Sequence, residues 1–325
     1  MILAADVGAT SSRVGLFDFV DQHLAQISVK KFHNRDHKSF KAILDEFPGT
    51  RHDISGACFG IAGPVLDGRV HLTNLNWIID TREFQALLGT PHVWLLNDME
   101  ATGYGISQLR EEDLLVLNAG KPDQSASAAL IAAGTGVGET TLQRNGTGRI
   151  PLAAEAGHAD FAPNNDIENE LLLHLRKQFG HVSWDRVLSG PGLHLIYEFL
   201  RDTGRGAENS EIAERIRTGD PGAEISIAAL KNQCELCVHA LDIFTSIYGS
   251  ESGNMALRYL ARAGVYLGGG IAPKIRTKLT DGTFMRAFSA KGRMMAMLDL
   301  IPVYVILNDQ AALLGAAHYA ATKLQ

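Results

Sequence analysis

The sequence predicts a two-lobed α/β protein, and three observations lead there. At 325 residues the chain is about two average domains long. Apolar runs of strand length alternate with longer runs of helical spacing, the pattern of mixed α/β architecture. A strand, a glycine loop and a return strand occur in succession twice, at the N-terminus and again near residue 128, as though each lobe began in the same way.

The elements follow in order. Residues 2–5 and 14–17 read as strands on either side of the small polar and turn residues 6–12, which makes a β-hairpin with a loop suited to close approach. Residues 27–32 form a third strand, 38–47 a short amphipathic helix, and 54–62 a fourth strand stopped by Gly63 and Pro64. The opening order is therefore βββαβ. A strand over 93–96 ends at Asn97 and Asp98, and helical spacing resumes at Met99. Residues 128–133 and 140–143 are strands around the glycine loop 134–138. Helices are predicted over 167–179, 191–202 and 224–247, with a surface loop over 202–209. A strand over 265–267 runs into three glycines, and a strand over 303–307 ends at Asn308 and Asp309 before an alanine-rich helix. This organisation suggests a small α/β domain of residues 1–108 plus 308–325 and a large α/β domain of residues 109–307.

Composition narrows the function classes. Hydrophobic residues make up 46% and charged residues 20% of the chain, enough to bury a sizeable core and far from a disordered composition. Thirty basic residues against 36 acidic ones give a net charge of −6 with no basic run, which argues against nucleic acid as a partner. The apolar start ends at Asp6 with no basic residue before it, far short of the ~18 residues of a membrane span, so neither export nor membrane attachment is expected. Three cysteines, Cys58, Cys234 and Cys237, are too few to staple such a chain and suit a reducing, cytoplasmic address.

Several residues could carry chemistry. Glycine loops after strands let backbone N–H groups approach phosphate oxygens, and a neighbouring hydroxyl adds a donor. Gly8, Ala9 and Thr10 form one such loop and Gly134, Thr135, Gly136 and Gly138 another; each alone could equally be a hairpin turn. Neither is a Walker A loop, and neither gives Gly-x-Gly-x-x-Gly at a strand-to-helix junction. Asp6, just before the first loop, could orient a magnesium ion through water or simply shape its turn. Asp98 could accept the proton of an attacking hydroxyl in phosphoryl transfer; its structural alternative is a helix N-cap. Asn97 could bind substrate or pair with backbone. Glu155 and His158 offer an acceptor and a ring donor three positions apart, which suits vicinal sugar hydroxyls; a metal site would need further ligands, and an ordinary surface pair is the other reading. Gly268, Gly269 and Gly270 would let a flat base lie against backbone, or form a flexible corner. Cys234 and Cys237 lie within the predicted helix and lack a second pair of ligands for zinc. In combination, two glycine loops, a strand-end aspartate, a Glu/His pair and a third glycine run point to an ATP-dependent sugar kinase.

The chain resembles, over nearly its whole length, the bacterial glucokinase family of the hexokinase and actin-like ATPase superfamily. The residues carrying the likeness are Asp6-Val7-Gly8-Ala9-Thr10 with Arg13, Leu96-Asn97-Asp98, Ala133-Gly134-Thr135-Gly136-Val137-Gly138, the block from Glu155 to Pro163, and the run from Gly180 to Gly192. The last two are family-specific, whereas the glycine loops are shared across the superfamily. The resemblance implies a two-lobed actin-like ATPase (ribonuclease H-like) fold with an ATP and sugar cleft between a small and a large domain. It implies ATP, with Mg2+, held by Asp6, both glycine loops and the glycines 268–270. Glucose would be held by Asn97, Asp98, Gly136, Glu155, His158 and Asp185, with Asp98 as general base. A cytoplasmic homodimer belongs to the same expectation, as does closure of the small lobe over the sugar to exclude water.

Three positions depart from the family pattern. Ala9 stands where a second glycine is usual, and a left-handed backbone there would cost about 1–2 kcal/mol. Ala156 also replaces a usual glycine. Asp185 replaces a sugar-binding glutamate; its carboxylate is withdrawn by about one bond length, which a bridging water could restore. Fructokinase, mannokinase and glucosamine kinase are therefore the neighbouring readings. A non-enzymatic sugar sensor would need an added helix-turn-helix and the zinc-binding cysteines of the repressor-related kinases, and the sequence offers neither.

Overall fold

The computed structural model describes residues 1–20, 23–72, 75–146 and 148–325. By internal contacts the chain divides into two compact units: Met1–Asp113, Arg149–Ala153 and Asn308–Gln325 form the first, Leu114–Gly148 and Ala154–Leu307 the second.

In chain order the first unit opens with β1 (Ile2–Val7), β2 (Ser11–Val20), β3 (His23–His33), α1 (Phe40–Glu46) and β4 (Gly56–Ile61). It continues with β5 (Arg69–Leu72), β6 (Trp77–Asp80), α2 (Thr81–Leu88), β7 (Val93–Asn97) and α3 (Asp98–Gly105). There follow β8 (Leu114–Asn118), β9 (Ala128–Ala133), β10 (Val137–Asn145) and β11 (Gly148–Pro151). The helical stretch comprises α4 (Asp166–Phe179), α5 (Trp184–Val187), α6 (Gly190–Asp202), α7 (Ser210–Thr218), α8 (Pro221–Leu230) and α9 (Glu235–Tyr259). Last come β12 (Gly264–Gly268), α10 (Arg276–Leu279), α11 (Thr283–Ser289), α12 (Met295–Leu298), β13 (Val303–Ile306) and α13 (Ala311–Lys323).

The expected βββαβ opening is present. In the first unit the strands run β3-β2-β1-β4-β7, antiparallel from β3 to β1 and parallel from β1 to β7. Alternation along β1 explains its two-sided burial. Leu3, Ala5 and Val7 enter one core with Phe40, Ile43 and Leu44 of α1, while Ile2 and Ala4 face the other with Ala316, Ala317 and Ala320 of α13. Small residues on that second face let helices come close. A methyl group on Gly105 would overlap the carbonyl of Ala311, and one on Gly315 would overlap that of Ala101, so α3 and α13 cross at nearly backbone contact. That crossing seats α3, whose first residue is Asp98, against α13.

In the second unit the order β10-β9-β12-β13-β8 is antiparallel at its two ends and parallel across β9, β12 and β13. The repeat of strand, glycine loop and strand is therefore real in the fold: β1–β2 and β9–β10 are both antiparallel hairpins, each followed by parallel pairing on the first strand's other side. The core is helical, with α9 buried along most of its 25 residues.

The helix predicted over 224–247 is two helices. α8 starts at Pro221 on an Asp220 cap and ends at Leu230, and Asn232 takes a left-handed φ of 52°. Asparagine tolerates that conformation and ends helices much as glycine does. The apolar spacing continues across this break, so it left no trace of the interruption. Cys234 is accordingly the extended residue before α9, with only Cys237 inside the helix; both are buried and unbridged. The predicted loop over 202–209 does separate α6 from α7. No helix among the described residues is long and apolar enough to cross a membrane.

Candidate functional site

In the first unit the site residues gather at the ends of β1 and β7. The loop after β1 closes on itself: Gly8 N–H donates to Ser11 O at 3.1 Å, and Thr10 O accepts from Asn34 N–H at 3.0 Å. Asn34 is buried and braces the loop from beneath, its amide donating to Gly8 O at 2.8 Å and its oxygen accepting from Ser12 Oγ at 2.7 Å. Ala9 lies outside the left-handed region, so the strain considered for it does not arise; neither does it for Ala156.

Asp6, the last but one residue of β1, is partly buried. Burial first, then the carboxylates of Asp98 and Asp309, raise its carboxyl to about 6 against the opposing pull of Arg13 and Lys31. Arg13 Nη2 pairs with Asp309 Oδ2 at 2.6 Å, and Arg13 Nη1 also donates to the Asp309 carbonyl. One arginine thus serves an end where the carboxylates of Asp98 and Asp309 both bear on Asp6. No group of three or more His, Cys, Asp or Glu among the described residues could hold a metal ion directly. Oxygen donors of this kind suit magnesium reached through water, since that ion usually keeps part of its hydration shell.

Asp98 is not the helix cap. Asn97 is the N-cap of α3, its oxygen accepting from Glu100 N–H at 2.6 Å while Glu100 Oε2 accepts from Asn97 N–H at 3.0 Å. This capping box satisfies the helix end and leaves Asp98 at the first helical position, exposed, with Oδ1 accepting from Met99 N–H at 2.9 Å. Asn97 therefore pairs with backbone through its oxygen, as its bland alternative supposed.

In the second unit the loop 134–138 is the hub. Gly134 N–H donates to Gly136 O at 2.8 Å, and Gly138 pairs with Ala132 on β9. On its other edge Ala132 pairs with Gly268, and Gly269, at φ +77°, lies against the carbonyl of Ala133 where a side chain would overlap it. The second and third glycine runs therefore meet at the end of β9. Gly134, Thr135 and Gly270 line a cavity of about 600 Å³ together with Pro191, Asp220 and Lys274, within the size of small-molecule sites. Gly136, Gly138, Gly268 and Gly269 do not line it.

The two family-specific blocks form one platform. Phe161 N–H donates to Val182 O at 2.9 Å, Trp184 N–H to Ala159 O at 3.1 Å, and the rings of Phe161 and Trp184 lie 5.3 Å apart. Glu155 and His158 stand on this platform, both exposed, with Glu155 Oε2 and His158 Nε2 3.9 Å apart. Between them in sequence, Gly157 is buried against the carbonyl of Val137, which any side chain would strike. The Glu/His pair is thereby held beside the glycine loop. Asp185 lies there too, with Oδ1 accepting from Val137 N–H at 2.8 Å.

The family model described as Glucokinase matches residues 3–323. A glucokinase from Nostoc punctiforme is 41% identical over 337 aligned positions, covering 99% of each chain. The chain belongs to the glucokinase family. Among solved structures, the glucokinase of an Antarctic psychrotroph aligns with a TM-score of 0.84 at 31% identity, covering 99% of this chain and 98% of its own. The glucokinase of Balamuthia mandrillaris, solved in complex with glucose, has the same fold at a TM-score of 0.78 and 20% identity, over 99% of this chain and 93% of its own.

As a glucokinase-family member the chain is an enzyme, a kinase acting on a sugar. Sequence reasoning did not single out Asn34 or Asp309 as candidate site residues, nor the cavity residues Pro191, Asp220 and Lys274. Asp309 was visible as the end of a strand. No sequence signal marks Asn34, whose role depends on contacts 22 and 26 residues away.

Proposed function

We propose that this glucokinase-family protein transfers the γ-phosphoryl group of MgATP to the 6-hydroxyl of glucose, giving glucose 6-phosphate and ADP. The observation that carries the reading is the position of loop 134–138. Gly134 and Thr135 line the cavity while Val137 abuts the turn bearing Glu155 and His158, so one loop serves a nucleotide on one side and a sugar on the other. In this reading ATP is taken by Gly8, Ala9, Thr10, Gly134, Thr135, Gly136, Gly138 and the glycines 268–270, of which Gly270 borders the cavity. Glucose is taken by Asn97, Asp98, Gly136, Glu155, His158 and Asp185.

Each group has a task its chemistry suits. Asp98 accepts the proton of the 6-hydroxyl as it attacks. Glu155 accepts from a sugar hydroxyl and the His158 ring donates to another or accepts from it. Asp6 orients the water shell of the magnesium that enters with ATP, and that ion offsets charge on the phosphates. Rate then comes chiefly from positioning and charge stabilisation.

With this reading go a small domain of residues 1–108 plus 308–325, a large domain of residues 109–307 and a cleft between them that takes ATP and sugar. A cytoplasmic homodimer completes it. ADP release from the purified protein, coupled to a reporter and run with glucose, fructose, mannose and glucosamine, tests the proposal. Glucose-dependent ADP formation with the highest kcat/KM for glucose is expected. ADP release that no hexose stimulates would overturn it, and a higher kcat/KM for another hexose would reassign the sugar.

A further inference from the structure

The second glycine loop is held from outside by one short segment. Asp185 Oδ1 accepts the N–H of Val137 at 2.8 Å, and Gly190 N–H donates to Gly134 O at 2.8 Å, so the loop is gripped near both ends. Ser189 stiffens the segment between: its hydroxyl donates to Asp185 O at 2.7 Å and accepts from Gly192 N–H at 3.1 Å, capping α6. Gly136 completes the fit, because a Cβ there would lie 2.6 Å from Asp185 Oδ1 and meets no other group closer than ordinary contact. The absence of a side chain at 136 is thus what admits the carboxylate.

We infer that Asp185 is a positioning residue for loop 134–138, tying that loop to the segment 185–190 and so governing nucleotide use as well as any sugar contact it makes. The inference rests on the kinase reading above. A carboxylate accepting a backbone N–H forms a charge-assisted bond, and its short side chain is the length that reaches Val137. A residue acting on sugar alone would have no need of this bond. Loss of the tether frees the hinge of a loop that borders the cavity, and the expected loss falls on ATP.

Asp185→Ala should raise the KM for ATP by about tenfold or more, the scale of one lost hydrogen bond from a charged group, and weaken ADP binding measured by calorimetry in parallel. Asp185→Asn, whose amide oxygen can accept the same N–H, should recover most of that loss. Gly136→Ala should reproduce the ATP defect in the otherwise unchanged protein and add little to it in the Asp185→Ala background, since the group it displaces is already gone. Circular dichroism spectra and melting temperatures of the variants separate folding from positioning. An unchanged ATP KM and ADP affinity in Asp185→Ala, with only the glucose KM raised, overturns the inference and leaves the kinase reading intact. A wild-type protein that binds no ADP and phosphorylates no hexose overturns both.

Discussion

Asn97 and Glu100 cap one another. Each side chain accepts the other residue's backbone N–H, at 2.6 Å for Glu100 N–H and 3.0 Å for Asn97 N–H. The consequence falls on the residue between them: with the helix end already satisfied, Asp98 is placed by the cap and is not itself the cap. The contact of α3 with α13 through Gly105 and Gly315 holds the helix from behind.

Breaking that box from the Glu100 side should therefore loosen Asp98 without touching it. Glu100→Ala is expected to lower stability by about 0.5–1 kcal/mol, the usual range for a capping contact. It should also reduce kcat severalfold, with little change in either KM. Glu100→Gln, which keeps an acceptor, should restore most of both. Thermal melts and steady-state kinetics read the two effects separately.

Asp6 is expected to set the acid limb of activity. With its carboxyl raised to about 6 by burial and by Asp98 and Asp309, it is ionised above that pH and loses its charge below it. The kcat/KM for ATP should fall about tenfold per pH unit below 6. Because a divalent cation favours the ionised form, raising magnesium should move the limb to lower pH. A pH profile at two magnesium concentrations checks this, and a chelator should abolish turnover.

A buried carboxyl follows the second glycine loop. Glu139 is 1% exposed, its Oε1 has no hydrogen-bond partner among the described residues, and burial together with Glu251 raises it to about 8 despite Arg258. A carboxyl raised on folding holds its proton in the native state after the unfolded chain has lost it. Its contribution to stability is full below about 4.5 and is lost as pH rises through about 8. Glu139→Gln should accordingly melt higher than the parent at alkaline pH, by on the order of a few kcal/mol at about 1.4 kcal/mol per pKa unit. The difference should shrink toward pH 5, as denaturation at pH 5, 7 and 9 will register.

Legibility in the sequence followed the range of the interaction. Strands buried on both faces, such as β1 and β4, announced themselves through unbroken apolar runs and the breaker residues that end them. The strand-end position of Asp98 and the hairpin loops were equally local. The break at Asn232 was hidden because apolar spacing persists across it. Arg13 and Asp309 are 296 residues apart, and nothing near either one signals the other. The tether from Asp185 to Val137 was likewise out of reach: the missing methylene was legible, but the backbone N–H that it reaches was not. The difference between the two kinds of residue is physical, since local periodicity encodes elements while loops are fixed by partners the fold brings from far along the chain.

The most direct test concerns Asp98. Asparagine is nearly the same shape, and its amide oxygen can still accept Met99 N–H, so Asp98→Asn should keep the local structure. In single-turnover and steady-state assays with glucose and MgATP, kcat should fall by at least ~10²-fold while both KM values stay close to those of the parent. Turnover within a few fold of the parent enzyme would contradict the account, for the proton of the sugar hydroxyl would then leave by another route.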